Sequence, residues 1–380
     1  MNYNAKPIVA TLDAGGTNFV FSAIRDLDYV VEPLTLPSLS ANLDRCLSQL
    51  VEGFSAVMAK LPYEPSAISF AFPGPADYPD GIIGGYLPNF PSFRDGVALG
   101  PFLEDKFGIP VFINNDGDLF AYGEAVFGAL PYINSKLSEA GSAKRYHNLI
   151  GYTFGTGFGI GHVSGGELYI GDNSCVETFC LPNALNPDLI CEEGVSIRAV
   201  KRVYREMCVA SGNDAGMPDP EPKDIFDIAE GRRPGDREAA VESFRQLGEV
   251  AGDAIASAVT LLDGIVVLGG GLTGSSKYIM PSLLERIRGA VHTVSGEKVA
   301  RVQMKVYDLD SPDEFAAFAR GDSRELKVYG SDRTVTYDPQ KRTGIMLSRL
   351  GASRAISFGA YAFALNKIGV GLESVSRKAV

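Results

Sequence analysis

The sequence predicts an α/β protein of two lobes, each with a mixed β-sheet flanked by helices. A strand, glycine turn, strand unit occurs twice, near residues 8–24 and again near 149–161. Apolar runs of strand length alternate with stretches of helical period along most of the chain. The length, 380 residues, is more than one hydrophobic core usually organises, so two cores with a cleft between them are expected.

The elements follow in order. Ile8-Val9-Ala10-Thr11-Leu12 and Phe19-Val20-Phe21-Ser22-Ala23-Ile24 flank Asp13-Ala14-Gly15-Gly16-Thr17-Asn18 and read as a hairpin. Leu43, Leu47, Leu50, Phe54, Val57 and Met58 recur at helical spacing over 40–61. Ala67-Ile68-Ser69-Phe70-Ala71-Phe72 is a buried strand stopped by Pro73-Gly74-Pro75. A helix over 99–107 precedes the strand Ile109-Pro110-Val111-Phe112-Ile113, whose end carries Asn114-Asn115-Asp116, and a helix is predicted from about 118 to 127. Leu149-Ile150-Gly151-Tyr152-Thr153 opens the second glycine hairpin. Helices over 195–208 and 238–262 flank a proline- and charge-rich segment at 214–236, and the second leads into Ile265-Val266-Val267-Leu268 and Gly269-Gly270-Gly271. From about 295 to 348 short polar strand-like pieces suggest an inserted hairpin or flap, and a small-residue helix at 355–365 closes the chain.

A formal net charge of −11 with scattered lysines and arginines disfavours nucleic acid as a partner. No signal-peptide pattern opens the sequence and no stretch is apolar for the length of a membrane span, so a cytoplasmic protein is expected. The five cysteines match neither a disulfide framework nor paired C-x-x-C ligands, and reduced thiols are expected. His147, His162 and His292 are dispersed, and surface or satisfied interior positions are expected for them. Neither a Walker loop nor a G-x-S-x-G elbow occurs.

The turn at Asp13, Gly15, Gly16 and Thr17 offers unobstructed backbone N–H groups to phosphate oxygens, with the Asp13 carboxylate beside them for a Mg2+ shell. Alone it is an ordinary hairpin turn; a second turn at Gly155, Thr156 and Gly157 and a third cluster at Gly270 and Gly271, each after a strand, point to a polyphosphate. Asp116 ends a strand and precedes a helix, where ligands gather in open α/β sheets. It could instead be a helix cap, as could Asp118, so one of the two carboxylates is available for chemistry. Phosphoryl transfer to an alcohol needs a group that accepts the hydroxyl proton, and Asp116 is the candidate.

Asp13-Ala14-Gly15-Gly16-Thr17, Pro73-Gly74-Pro75-Ala76-Asp77, Pro88-Asn89-Phe90, Asn115-Asp116, Gly155-Thr156-Gly157, Gly165-Gly166-Glu167-Leu168-Tyr169 and Gly269-Gly270-Gly271 stand in the order found in the ROK family. The sequence resembles that family of repressors, open reading frames and kinases over nearly its whole length. The resemblance implies an actin-like ATPase (ribonuclease H-like) fold and ATP- and Mg2+-dependent phosphorylation of a hexose or hexose derivative at a primary hydroxyl. It further implies Asp116 as base; Asn89, Asn115, Glu177 and, more weakly, Glu193 as sugar contacts; Gly157 and its neighbours at the ATP phosphates; Gly270 and Gly271 near the adenosine; and a homodimer. The lobes are then expected at 1–117, completed by a C-terminal helix at about 353–380, and at 118–352, with an insertion around 295–344.

Besides the insertion around 295–344, the sequence departs from the family in the zinc-loop region. The usual G-H pair and C-x-C-G-x-x-G-C zinc cluster are replaced by Glu177-Thr178-Phe179-Cys180 and a stretch ending in Cys191, leaving two soft ligands where a structural zinc needs four. No zinc is expected, Cys180 and Cys191 are expected as buried free thiols, and glucose cannot be assumed as the sugar. The alternative reading is a catalytically inactive sugar-binding sensor, against which the joint retention of Asp13, Asp116 and three glycine clusters argues. The family's repressors carry a helix-turn-helix ahead of the core, which is not expected here because the first hairpin starts at Ile8. An actin-like ATPase acting on something other than sugar would keep the nucleotide residues and drop Asn89 and Glu177.

Overall fold

The computed structural model of the protein describes residues 6–213 and 219–375. The expected C-terminal range thus runs past the described residues at 376–380, and the proline- and charge-rich segment begins outside them at 214–218. The chain packs as two units, one of Met1–Gly128, Gly161–Val176 and Arg349–Val380, the other of Ala129–Ile160 and Glu177–Ser348.

In the first unit the strand Val9–Ala14 pairs antiparallel with Asn18–Arg25, which in turn carries Asp28–Tyr29 and Leu34–Pro37. On its other side it pairs parallel with Ala67–Ala71, and that strand with Val111–Asn114. A parallel sheet covered on both faces needs strands that are apolar throughout, and all of Ala67–Ala71 is buried. Helix Leu43–Met58 covers one face through Cys46, Leu50, Phe54 and Val57, the buried stripe of its helical period. Phe19, Phe21, Phe70, Phe72, Phe90 and Phe93 complete this core, each fully buried ring contributing about 1.5–3 kcal/mol. Helices Asp116–Val126 and Ala352–Lys367 cross closely because glycines meet backbone: a methyl on Gly123 would run into the Ala355 carbonyl, and one on Gly359 into that of Leu119.

In the second unit Leu149–Phe154, Ile265–Gly269, Arg342–Leu347 and Lys305–Asp308 form a parallel sheet in that order. Parallel neighbours require crossovers, supplied here by long helices such as Arg237–Leu262. Gly248 and Gly252 of that helix bring it against the backbone of Ile279 and Leu283 in helix Ser276–Arg288. After the second glycine turn, strand Phe158–Ser164 passes into the first unit, where its last residues pair antiparallel with Glu167–Tyr169.

Several elements differ from expectation. The helix expected from about 118 starts at Asp116. Helices Ala129–Glu139 and Pro222–Ala229 were not marked by the sequence pattern. The stretch 295–344 is not one flap, because it contains helix Pro312–Arg320 and strand Lys305–Asp308 and runs into strand Arg342–Leu347 of the central sheet. Arg342 disguises that strand. Its guanidinium is buried but satisfied, donating to the Phe318 carbonyl at 2.7 Å and pairing with Asp338 at 2.5 Å, while the Thr343 hydroxyl donates to the Gly264 carbonyl at 2.7 Å. The peripheral pieces are two hairpins, Ala290–His292 with Lys298–Ala300 and Arg324–Lys327 with Thr334–Tyr337.

Candidate active site

The expected site residues fall into two sets, one in each unit. In the first unit strand register sets Asp13 opposite Ala71 and Ala71 opposite Asn114, so the ends of three parallel strands are level. Asp13 is exposed there. The chain turns back through Gly15 and Gly16, and Asn89 packs on the turn so tightly that a methyl on Gly16 would lie 2.8 Å from the Asn89 Cβ. The Gly16 carbonyl accepts from the hydroxyls of Ser38 at 2.5 Å and Ser40 at 3.1 Å, and the Thr17 carbonyl accepts from the Ser38 N–H at 2.9 Å. These bonds engage the turn's carbonyls.

The two carboxylates at the start of helix Asp116–Val126 are distinguished by the residue before them. Asn115 is the N-cap, its side-chain oxygen accepting from the Gly117 N–H at 2.7 Å, so neither Asp116 nor Asp118 serves as the cap. The other end of the Asn115 amide donates to the Tyr78 hydroxyl at 3.5 Å, and that hydroxyl donates to the Phe72 carbonyl at 2.9 Å. Asp116 is exposed to solvent, with protein packed around its carboxylate. That desolvation pushes its pKa up; the Gly117 N–H at 3.0 Å opposes the rise and the charge of Asp13 adds to it. Asp118 is 7% exposed, and burial followed by the charge of Asp116 pushes its pKa up to about 8.

In the second unit the Gly155-Thr156-Gly157 turn is closed by the Gly155 N–H donating to the Gly157 carbonyl at 3.1 Å. Gly270 has φ +94° and its backbone lies against that of Phe154, the residue before the turn, where any side chain would collide. Gly155 and Gly271 face open space. The structure thus brings two of the glycine clusters together. Glu177 is half-buried at the start of a loop. Glu193 is taken up by Arg198, which donates to it at 2.8 and 3.0 Å.

Cys191 is buried, its thiol pushed up to about 12 by desolvation, but Cys180 is exposed, contrary to expectation. The loop between them is held by a small hairpin of Pro182–Asn183 with Asn186–Ile190 and by the Cys191 N–H donating to the Leu181 carbonyl at 2.7 Å. Among the described residues no group of three or more His, Cys, Asp or Glu is placed to hold a metal ion. His147 and His292 are exposed, but His162 is buried with neither ring nitrogen hydrogen-bonded and its pKa lowered by burial, so it is not the satisfied interior histidine expected. No helix among the described residues is long and apolar enough to cross a membrane.

Ser38, Ser40, Tyr78 and Glu192 support these sets and were not found from the sequence, because each acts on a residue at least six positions away. Glu192 stood beside Glu193 in Cys191-Glu192-Glu193, and nothing local ranks one above the other.

The sequence profile of the ROK family matches residues 9–311. The crystal structure of a glucokinase from Parabacteroides distasonis is 59% identical with a TM-score of 0.87, covering 96% of this chain and 99% of that one. A glucokinase from Thermotoga maritima is 27% identical over 294 residues, which are 73% of this chain and 86% of that protein. A xylose repressor from Bacillus spizizenii is 31% identical over 160 residues, 41% of this chain and 37% of the repressor's length. Two mixed sheets, each with a strand, glycine turn, strand unit leading it, and this likeness to a glucokinase over nearly the full chain make the fold that of the actin-like ATPases. The chain belongs to the ROK family.

Proposed function

We propose that the protein phosphorylates a hexose or hexose derivative at a primary hydroxyl, using ATP. The observation that carries this is the state of Asp116: Asn115 caps the helix, and a carboxylate of raised pKa stands near Asp13 and the Gly15-Gly16 turn. The likeness to glucokinases supports it.

In this reading Asn89, Asn115, Glu177 and, less strongly, Glu193 hold the sugar. The Asn115 amide oxygen is committed to the cap and one hydrogen of its NH2 group points to Tyr78, so the second NH2 hydrogen is the donor that remains. Asp116 accepts the proton of the attacking hydroxyl as the oxygen forms its bond to the γ-phosphorus and the bond to the ADP oxygen breaks. At the turn that Gly155 closes through its own N–H, Thr156 and Gly157 present N–H groups to the phosphates, with Gly270 and Gly271 close to the adenosine. Asp13 and the turn at Gly15, Gly16 and Thr17 complete the phosphate and metal side. An exposed carboxylate beside a glycine turn suits Mg2+, which takes one or two carboxylates plus substrate phosphates and would neutralise phosphate charge.

The test is ADP release with Mg-ATP across hexoses, glucose included, and N-acetylhexosamines, with Asp116→Asn alongside. The expected result is sugar-dependent turnover that falls about 10²- to 10⁴-fold in the variant. The match to a repressor favours a second reading, a sugar sensor without turnover. Sugar binding with no ADP release from any hexose would select it.

A further inference from the structure

The 155–157 turn is fastened at both ends by one short segment. The Gly155 carbonyl accepts from the Ile197 N–H at 2.9 Å, and the Phe158 N–H donates to Glu192 Oε2 at 3.0 Å. Gly157 lies so close that a methyl there would stand 2.8 Å from the same Oε2. The other carboxylate oxygen of Glu192 accepts from Arg198 at 2.8 Å. The backbone of Glu192 is also engaged, its N–H donating to the Phe179 carbonyl at 3.1 Å and its carbonyl accepting from the Ser196 hydroxyl at 2.8 Å. All of these residues lie in the second unit.

A carboxylate touching a phosphate-binding turn is an electrostatic liability, because it repels the ligand the turn is meant to hold. Two features make it tolerable. Arg198, which also pairs with Glu193, supplies a partly compensating charge in direct contact, and the hydrogen bond to Phe158 fixes the turn before the ligand arrives.

We infer that Glu192 is a positioning residue for nucleotide, holding the 155–157 turn through the Phe158 N–H while Arg198, shared with Glu193, offsets part of its charge. This rests on the reading that the turn binds ATP phosphates. It also assigns Gly157 a reason to be glycine: the space a side chain would need is filled by Glu192.

Titration calorimetry with Mg-AMPPNP separates the possibilities. Glu192→Ala removes the acceptor and is expected to weaken nucleotide binding about tenfold. Glu192→Gln, whose amide oxygen can still accept from Phe158, is expected to restore affinity to within about threefold of the parent. Arg198→Met keeps the acceptor but uncovers its charge and is also expected to weaken binding; if Glu192→Ala does not fold, this variant and Glu192→Gln decide. Unchanged affinity in Glu192→Ala and Arg198→Met, or a glutamine variant as weak as the alanine one, overturns the inference while leaving the kinase reading intact. A parent protein that binds no Mg-AMPPNP overturns the nucleotide reading itself, and the role of Glu192 with it.

Discussion

Two aspartates two residues apart are both shifted upward by their surroundings. Asp116 needs to be ionised to accept a proton, and burial raises the pH at which it ionises. Turnover should therefore fall on acidification through a pKa above the ordinary carboxylate range, which a pH profile of kcat/KM will read. Asp118 is shifted in the same direction, first by burial and then by the charge of Asp116. Its folded pKa of about 8 lies above its ordinary value, so the folded protein holds a proton that the unfolded chain has released. The stability from that bound proton is fully present below the ordinary aspartate pKa and is lost as pH rises towards 8, by about 1.4 kcal/mol per pH unit. Asp118→Asn removes the titration. It should raise stability more at pH 8 than at pH 5, by up to about 4 kcal/mol in denaturant melts. Equal effects at the two pH values would show that Asp118 is ionised in the folded state.

Between elements, small residues decide approach. The crossing of Asp116–Val126 with Ala352–Lys367 depends on Gly123 and Gly359, each facing a carbonyl of the other helix. Gly359→Ala should therefore destabilise by about 1–3 kcal/mol in thermal melts, although alanine is the better helix former, because backbone cannot yield as a flexible side chain would. The hairpin Arg324–Lys327 with Thr334–Tyr337 is the opposite case. Every residue of both strands is exposed, and replacing its tip with a Gly-Ser turn should cost less than about 1 kcal/mol. The strand Arg342–Leu347 explains why polarity misled at this scale. A buried arginine is compatible with a central strand once a carboxylate and a carbonyl satisfy it, and both partners lie outside that strand.

At the level of the whole molecule, each unit has its own core, one centred on the phenylalanines around Phe19 and Phe72, the other on residues such as Tyr152, Phe244 and Leu268. The net charge of −11 agrees with a small-molecule partner and gives a general electrostatic field that does not favour anionic polymers. A ligand that binds only the folded protein stabilises it by mass action. A substrate hexose at about 100 times its dissociation constant should add about 2.7 kcal/mol, seen as a rise in Tm that Asp116→Ala diminishes through lost affinity. A panel of hexoses producing no such rise would count against both the kinase and the sensor readings.

The sequence by itself determined the strands that flank the glycine turns, the repetition of the hairpin unit, and the family. Those signals are local: alternation, helical period and glycine act through neighbours a few residues away. Only the tertiary structure decided that Asn115 caps the Asp116 helix, that burial pushes the Asp118 pKa up, that Glu192 holds the 155–157 turn and shares Arg198 with Glu193, and that Arg342 belongs to a core strand. Capping, desolvation and charge pairing depend on which groups surround a side chain in space. For Glu192 the partner at Phe158 is 34 residues away, a distance over which no local pattern carries information.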